Sequence, residues 1–108
     1  MTETFYIKRG DTSPSLQFAL APASVDLTGA TVRFSMRDRS IGVVTVNRAD
    51  AVIVTATGSP MVRYDWTSSD TDKEGYYIAE FEVTYPGGAI ETFPNVDFIR
   101  VQISEDIA

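Results

Sequence analysis

The stretch GYYIAEFEVTYPGG, residues 75–88, decides the fold. Tyr77, Ala79, Phe81, Val83 and Tyr85 alternate with Glu80, Glu82 and Thr84, the period of two that sends successive side chains to opposite faces of a β-strand. One face is apolar enough to pack on a core, and the acidic face meets water. Pro86, Gly87 and Gly88 then supply a turn, with φ fixed by the proline and positive φ open to the glycines, so the chain reverses into a hairpin. The same alternation sends Tyr76 and Ile78 outward. Large groups in that position need a cover, either a loop of the same domain or another subunit, which makes these two the candidate protein interface.

Just upstream, Gly75-x-Tyr77-x-Ala79 follows the acidic corner Asp70-Thr71-Asp72-Lys73-Glu74. This is the tyrosine-corner pattern of immunoglobulin-like sandwiches, with alanine where antibody domains place a cysteine. Gly75 and Tyr77 are therefore read as a structural corner, with the Tyr77 hydroxyl expected to bond to backbone within the connection from Thr67 to Glu74.

Short alternating runs recur along the rest of the chain. Strands are expected at 4–8, 15–20 (Leu16, Phe18 and Leu20 on one face), 31–38 (Val32, Phe34 and Met36 inward), 43–47, 50–56 and 61–66. The two runs at 43–56 are separated by Arg48 and Ala49. After the Pro86 turn, 89–93 and 96–104 read as one long edge strand interrupted at Pro94 and Asn95, because proline cannot donate to a central ladder. No run keeps a helical period over three turns, and Thr67–Glu74 offers at most one helical turn between sheets. The expected core joins Phe18, Val32, Phe34, Trp66, Phe81, Val83, Ile99 and Val101. The final residues, Glu105 to Ala108, are expected to be loose.

At 108 residues the chain suits one domain, residues 1–108, with one core. With nine basic against fifteen acidic residues the net charge is −6, whose field repels a nucleic-acid backbone or an anionic membrane. No apolar run near the N-terminus is long enough for a signal peptide or a membrane span, so synthesis in a cytoplasm is the expectation. The chain has no cysteine, so no disulfide or thiolate metal site is available.

It also has no histidine, and a serine without a histidine or a suitably placed lysine has no base to activate it. Glu80 and Glu82 alternate on the wet face of one strand as solubilising residues rather than as a glycosidase pair. Asp70-x-Asp72-x-Glu74-Gly75 begins like a calcium loop, but the position that should hold its closing glutamate is Phe81, which points into the core. Neither a metal nor any other cofactor is expected, and no small-molecule substrate. Arg9-Gly10-Asp11 spells an adhesion tripeptide, but three residues recur often by chance, and Gly10-Asp11-Thr12-Ser13-Pro14 reads as a turn between two strands. Arg33, Arg37 and Arg39 line one outward face and are expected to form cross-strand pairs with Glu80 and Glu82.

The segments FYIKRGDTSPSLQFAL, DLTGATVRFSMRD, MVRYDW, EGYYIAEFEVTYPGGAIETFP and VDFIRVQI, taken in order, resemble the N-terminal immunoglobulin-like domain of phage baseplate upper proteins. The resemblance runs from about Phe5 to Ile103, and Asp26-Leu27-Thr28-Gly29-Ala30 and Gly75-x-Tyr77 are its most characteristic pieces. It implies a non-enzymatic assembly module of a phage or prophage particle, in tail or baseplate. Such a module would be made in the host cytoplasm, end in the virion, and be partnered by virion proteins or by copies of itself. A carbohydrate-binding or adhesion module is the other expectation, and it requires exposed aromatics on a flat face or at a loop cluster. The fold expected is all-β, an antiparallel two-sheet immunoglobulin-like sandwich of seven to nine strands.

Overall fold

The computed structural model describes residues 3–107, so Met1, Thr2 and Ala108 lie outside the described residues. Nine strands follow in order: β1 (Thr4–Lys8), β2 (Leu16–Ala19), β3 (Thr31–Asp38), β4 (Val44–Asp50), β5 (Val52–Thr55), β6 (Met61–Tyr64), β7 (Gly75–Thr84), β8 (Ile90–Phe93) and β9 (Ile99–Ser104). They form two sheets. The larger runs β1-β9-β7-β3-β4 with β8 also on β7, and the smaller runs β2-β6-β5. This is the expected sandwich with one exception: β1 pairs with β9 in parallel, whereas every other pair is antiparallel. No helix long and apolar enough to cross a membrane occurs among the described residues.

β7 is the spine of the large sheet. Its alternation holds throughout: Tyr77, Ala79, Phe81 and Val83 are buried against the small sheet, and Tyr76, Ile78, Glu80 and Glu82 face outward. β8 pairs with Phe81–Thr84 and β9 with Gly75–Ala79, so both lie along the same edge of β7. Phe93 and Ile99 are six positions apart where their β7 partners Phe81 and Ala79 are two apart, and the excess loops out around Pro94 as the interrupted strand. Only the β8 half is an edge, because β1 covers β9.

β4 leaves the large sheet and continues almost directly as β5 of the small one, with Ala51 as the joint and its N–H bonded to the Val32 carbonyl at 3.0 Å. The break therefore falls two residues later than Arg48 and Ala49. Arg48 instead sits in a bulge within β4: two steps on β3 oppose three on β4, and Arg48 takes φ 50°.

The core is aromatic at its centre. Phe34 stacks on Tyr64 across the two sheets with ring centroids 4.2 Å apart, and it also meets Phe81 at 5.1 Å and the perpendicular Trp66 at 5.6 Å. Every residue of the expected core is buried except Phe18, which is half-buried at the free edge of β2 and stacks on Phe81.

The connection before β7 forms a turn rather than a helix. Asp70 accepts from Thr67 N–H at 2.8 Å and from the Tyr64 hydroxyl at 2.6 Å. The Tyr77 hydroxyl donates to the Lys73 carbonyl at 2.7 Å, which is the corner bond expected from the sequence. Tyr77→Phe leaves that carbonyl without its partner and is expected to destabilise by roughly 1–2 kcal/mol; the urea midpoint measures it. Glu105–Ile107 are exposed and outside any strand, and the expected loose end beyond them, Ala108, is not described.

Candidate interaction face of the six-stranded sheet

The strand registers place the outward residues of the large sheet in cross-strand rows. Tyr6 of β1 and Tyr76 of β7 both lie beside Gln102 of β9, and Arg39 bonds through its N–H to the Tyr76 carbonyl at 2.9 Å, giving the row Tyr6, Gln102, Tyr76, Arg39. The next row is Thr4, Arg100, Ile78, Arg37, Val44. Below it Glu80 lies beside Ser35, and below that Glu82 beside Arg33. The upper rows are thus basic and aromatic, and the lower rows mix Glu80 and Glu82 with Arg33 and Arg48.

Tyr6 is 65% exposed and Tyr76 58%, on either side of Gln102 and about 10 Å apart, two strand spacings. The two residues of the candidate interface have different surroundings. Ile78 is half-buried and shares a shallow hollow of about 140 Å³ with Val44, Arg37 and Phe98, a side chain from the β8–β9 connection that the Arg37 guanidinium covers at 5.7 Å. Ile78 thus has partial cover from its own chain, and Tyr76 has none.

The arginines differ from expectation. Arg33 stands beside Glu82 in register, yet its ion pair is with Asp50 at 3.5 Å, and Glu82 is reached by Arg48 at 3.8 Å from the β4 bulge. Arg37 and Arg39 form no salt bridge among the described residues, nor does Glu80. The reason is register: Arg37 falls opposite Ile78 and Arg39 opposite Tyr76, one and two rows from the nearest glutamate. Sequence alternation identified the outward face but could not reveal Tyr6 as part of it, because only the parallel β1–β9 pairing brings the N-terminal strand there.

The other singled-out motifs are structural. In Arg9-Gly10-Asp11, Gly10 takes φ 85° and donates to the Thr71 carbonyl, while the buried Thr71 hydroxyl donates to the Asp11 carbonyl at 2.8 Å, so the tripeptide is a turn pinned to the acidic corner. Asp70 is committed to Tyr64 and Thr67, so Asp70, Asp72 and Glu74 do not converge. No group of three or more His, Cys, Asp or Glu side chains placed to hold a metal occurs among the described residues. Ser15 donates to Asp65 at 2.7 Å, but Arg63 and that same bond hold the Asp65 carboxyl below the usual range, which makes it a poor base. Trp66 and Tyr64 are buried and offer no platform to a sugar.

No family model matches the chain, and no curated protein does. Among solved structures, the chain is similar to CopC from Methylosinus trichosporium OB3b, at 14% identity and a TM-score of 0.56, over 97% of this chain and 87% of that one. This likeness carries the fold. The expectation of a phage or prophage assembly module is corrected by the same comparisons: the likeness over nearly the whole chain is to CopC, and none of them points to a particle component.

The physical reason lies in the two pieces that suggested a virion. Asp26 accepts from Thr28 N–H at 2.9 Å, and Gly29 takes φ 74° where a Cβ would come 3.1 Å from Pro86 Cγ. The Gly75-x-Tyr77 piece makes the corner bond. Both serve any sandwich of this order and carry no information about a partner. Nor does the donor set suit a copper or zinc site, because imidazole and thiolate are absent from the sequence.

Proposed function

We propose that this chain is a non-catalytic protein-interaction module that associates with a second copy of itself through the outer face of its six-stranded sheet. One observation carries the reading: Tyr6 and Tyr76 stand exposed in one row of the large sheet, beside Arg37 and Arg39, which form no salt bridge among the described residues. Tyrosine and arginine are the residues in which binding energy concentrates, since each buries much area while keeping a polar end.

The face is also complementary to itself. A half-turn about an axis along the row of Ile78 and Arg37 sets the row of Tyr76 and Arg39 in one copy against the row of Ser35 and Glu80 in its partner, so Arg39 comes beside a carboxylate across the interface. The absence of histidine and cysteine from the sequence, and the depressed Asp65 that accepts from the Ser15 hydroxyl, support a role without chemistry.

Sedimentation across the micromolar range is expected to give a dimer that weakens with added salt. Tyr76→Asp is expected to raise its dissociation constant by about 30-fold or more. Arg39→Glu and Glu80→Arg should each weaken self-association, and mixing the two variants should restore a heterodimer. A wild-type chain that stays monomeric, or a polysaccharide ligand lost on Tyr76→Asp, would overturn the reading.

A further inference from the structure

The two sheets are unequal in width, and the sandwich closes differently on its two sides. On one side the chain itself crosses from β4 to β5 through Ala51. On the other, β1 ends the large sheet and β2 ends the small one, and between these edges and the β8–β9 connection lies a groove of about 740 Å³. Phe5, Leu16, Phe18, Val96, Phe98 and Ile99 give it an apolar lining, and Phe5, Phe18 and Phe98 are each only half-buried.

β2 is open along that groove in hydrogen-bonding terms as well. Leu20 N–H donates to the Pro60 carbonyl at 3.0 Å, one step beyond the Ala19–Met61 pair. Antiparallel ladders alternate bonded and non-bonded pairs. Counting back, Phe18–Val62 and Leu16–Tyr64 are the bonded pairs, so Gln17 and Ala19 turn their N–H and C=O groups to the free edge. An edge with unpaired main chain above an apolar groove is the geometry of strand addition, in which main-chain bonds give affinity and alternate side chains enter the groove.

Charge defines the occupant further. Glu3 and Asp97 line the groove and no lysine or arginine does, and although Asp97 also meets Arg100 at 3.4 Å, the groove belongs to a protein of net charge −6. We propose that the free edge of β2 accepts an extended segment of another polypeptide as a fourth strand of the small sheet, a segment with apolar residues at alternate positions and basic residues at its ends. The groove shares Thr4 and Phe98 with the outer face, but the free edge of β2 lies on the other sheet, so a readout at Gln17 and Ala19 is separate from self-association.

The probe is a set of capped heptapeptides Lys-X-Thr-X-Thr-X-Lys, X being Val, Ile, Leu, Phe or Tyr, titrated into the full chain and followed by amide NMR. The best peptide is expected to shift the Gln17 and Ala19 amides. Its counterpart with Glu in place of Lys should bind on the order of tenfold more weakly. Gln17→Pro removes only an edge donor, and Val96→Lys adds a like charge to the groove at a residue 83% exposed; each is expected to weaken binding about tenfold. The second variant keeps the test valid if the proline disturbs β2. No shift at Gln17 and Ala19 with any peptide, or binding unaffected by Val96→Lys, would overturn the proposal.

Discussion

Phe34→Ala is expected to remove about 3–5 kcal/mol of stability, most of what a domain of this size possesses. Phe34 is fully buried and is the one ring that touches Tyr64 of the small sheet and both Phe81 and Trp66. Truncating it opens a cavity where the two sheets meet, and strands tied into hydrogen-bonded ladders on both sides cannot collapse to fill it. The measurement is a urea unfolding curve; a loss below about 1 kcal/mol would mean that the sheets can repack around the gap. Phe34→Leu, which keeps part of the volume, should lose clearly less.

Asp70→Ala is expected to cost about 2–4 kcal/mol, because it strands two donors at once, the Tyr64 hydroxyl and Thr67 N–H. Asp70→Asn keeps an acceptor in place and should recover most of the loss. The same contact gives stability a dependence on high pH. Burial first, and then the bond to Asp70 and its charge, push the Tyr64 phenol well above its ordinary value of 10.0. Burial and the bond to Glu91 likewise raise Tyr85 to about 12. In the unfolded chain these phenols ionise first, so their contribution is complete below pH 10 and is lost as the pH rises toward the folded values. Melting temperatures should therefore fall above about pH 10, and Tyr64→Phe should flatten that decline. An unchanged slope in Tyr64→Phe would show that the phenol is not the titrating group.

Much of this fold is legible before any coordinates. β1 and β3 occupy the residues that alternation marks out, β7 ends one residue short of Tyr85, and Gly75-x-Tyr77 makes the corner bond that its pattern implies. Alternation and turn chemistry are local: each residue's neighbours two positions away suffice to say which face it takes. The site is a different matter. Alternation places Arg37 and Arg39 on the correct face, but the register sets them one and two rows from Glu80, beside Ile78 and Tyr76.

The sequence by its period alone therefore specifies an all-β sandwich, its inward residues and its corner. Only tertiary pairing brings Tyr6 next to Tyr76, opens the edge of β2 beside Phe5, and turns Asp70 from a candidate calcium ligand into the acceptor of Tyr64 and Thr67. The physical reason is that a surface is made of strands distant along the chain. Tyr6 and Tyr76 are seventy residues apart. What joins them is a ladder of main-chain bonds, identical for every residue type, so the side chains that meet across it leave no mark in the local pattern.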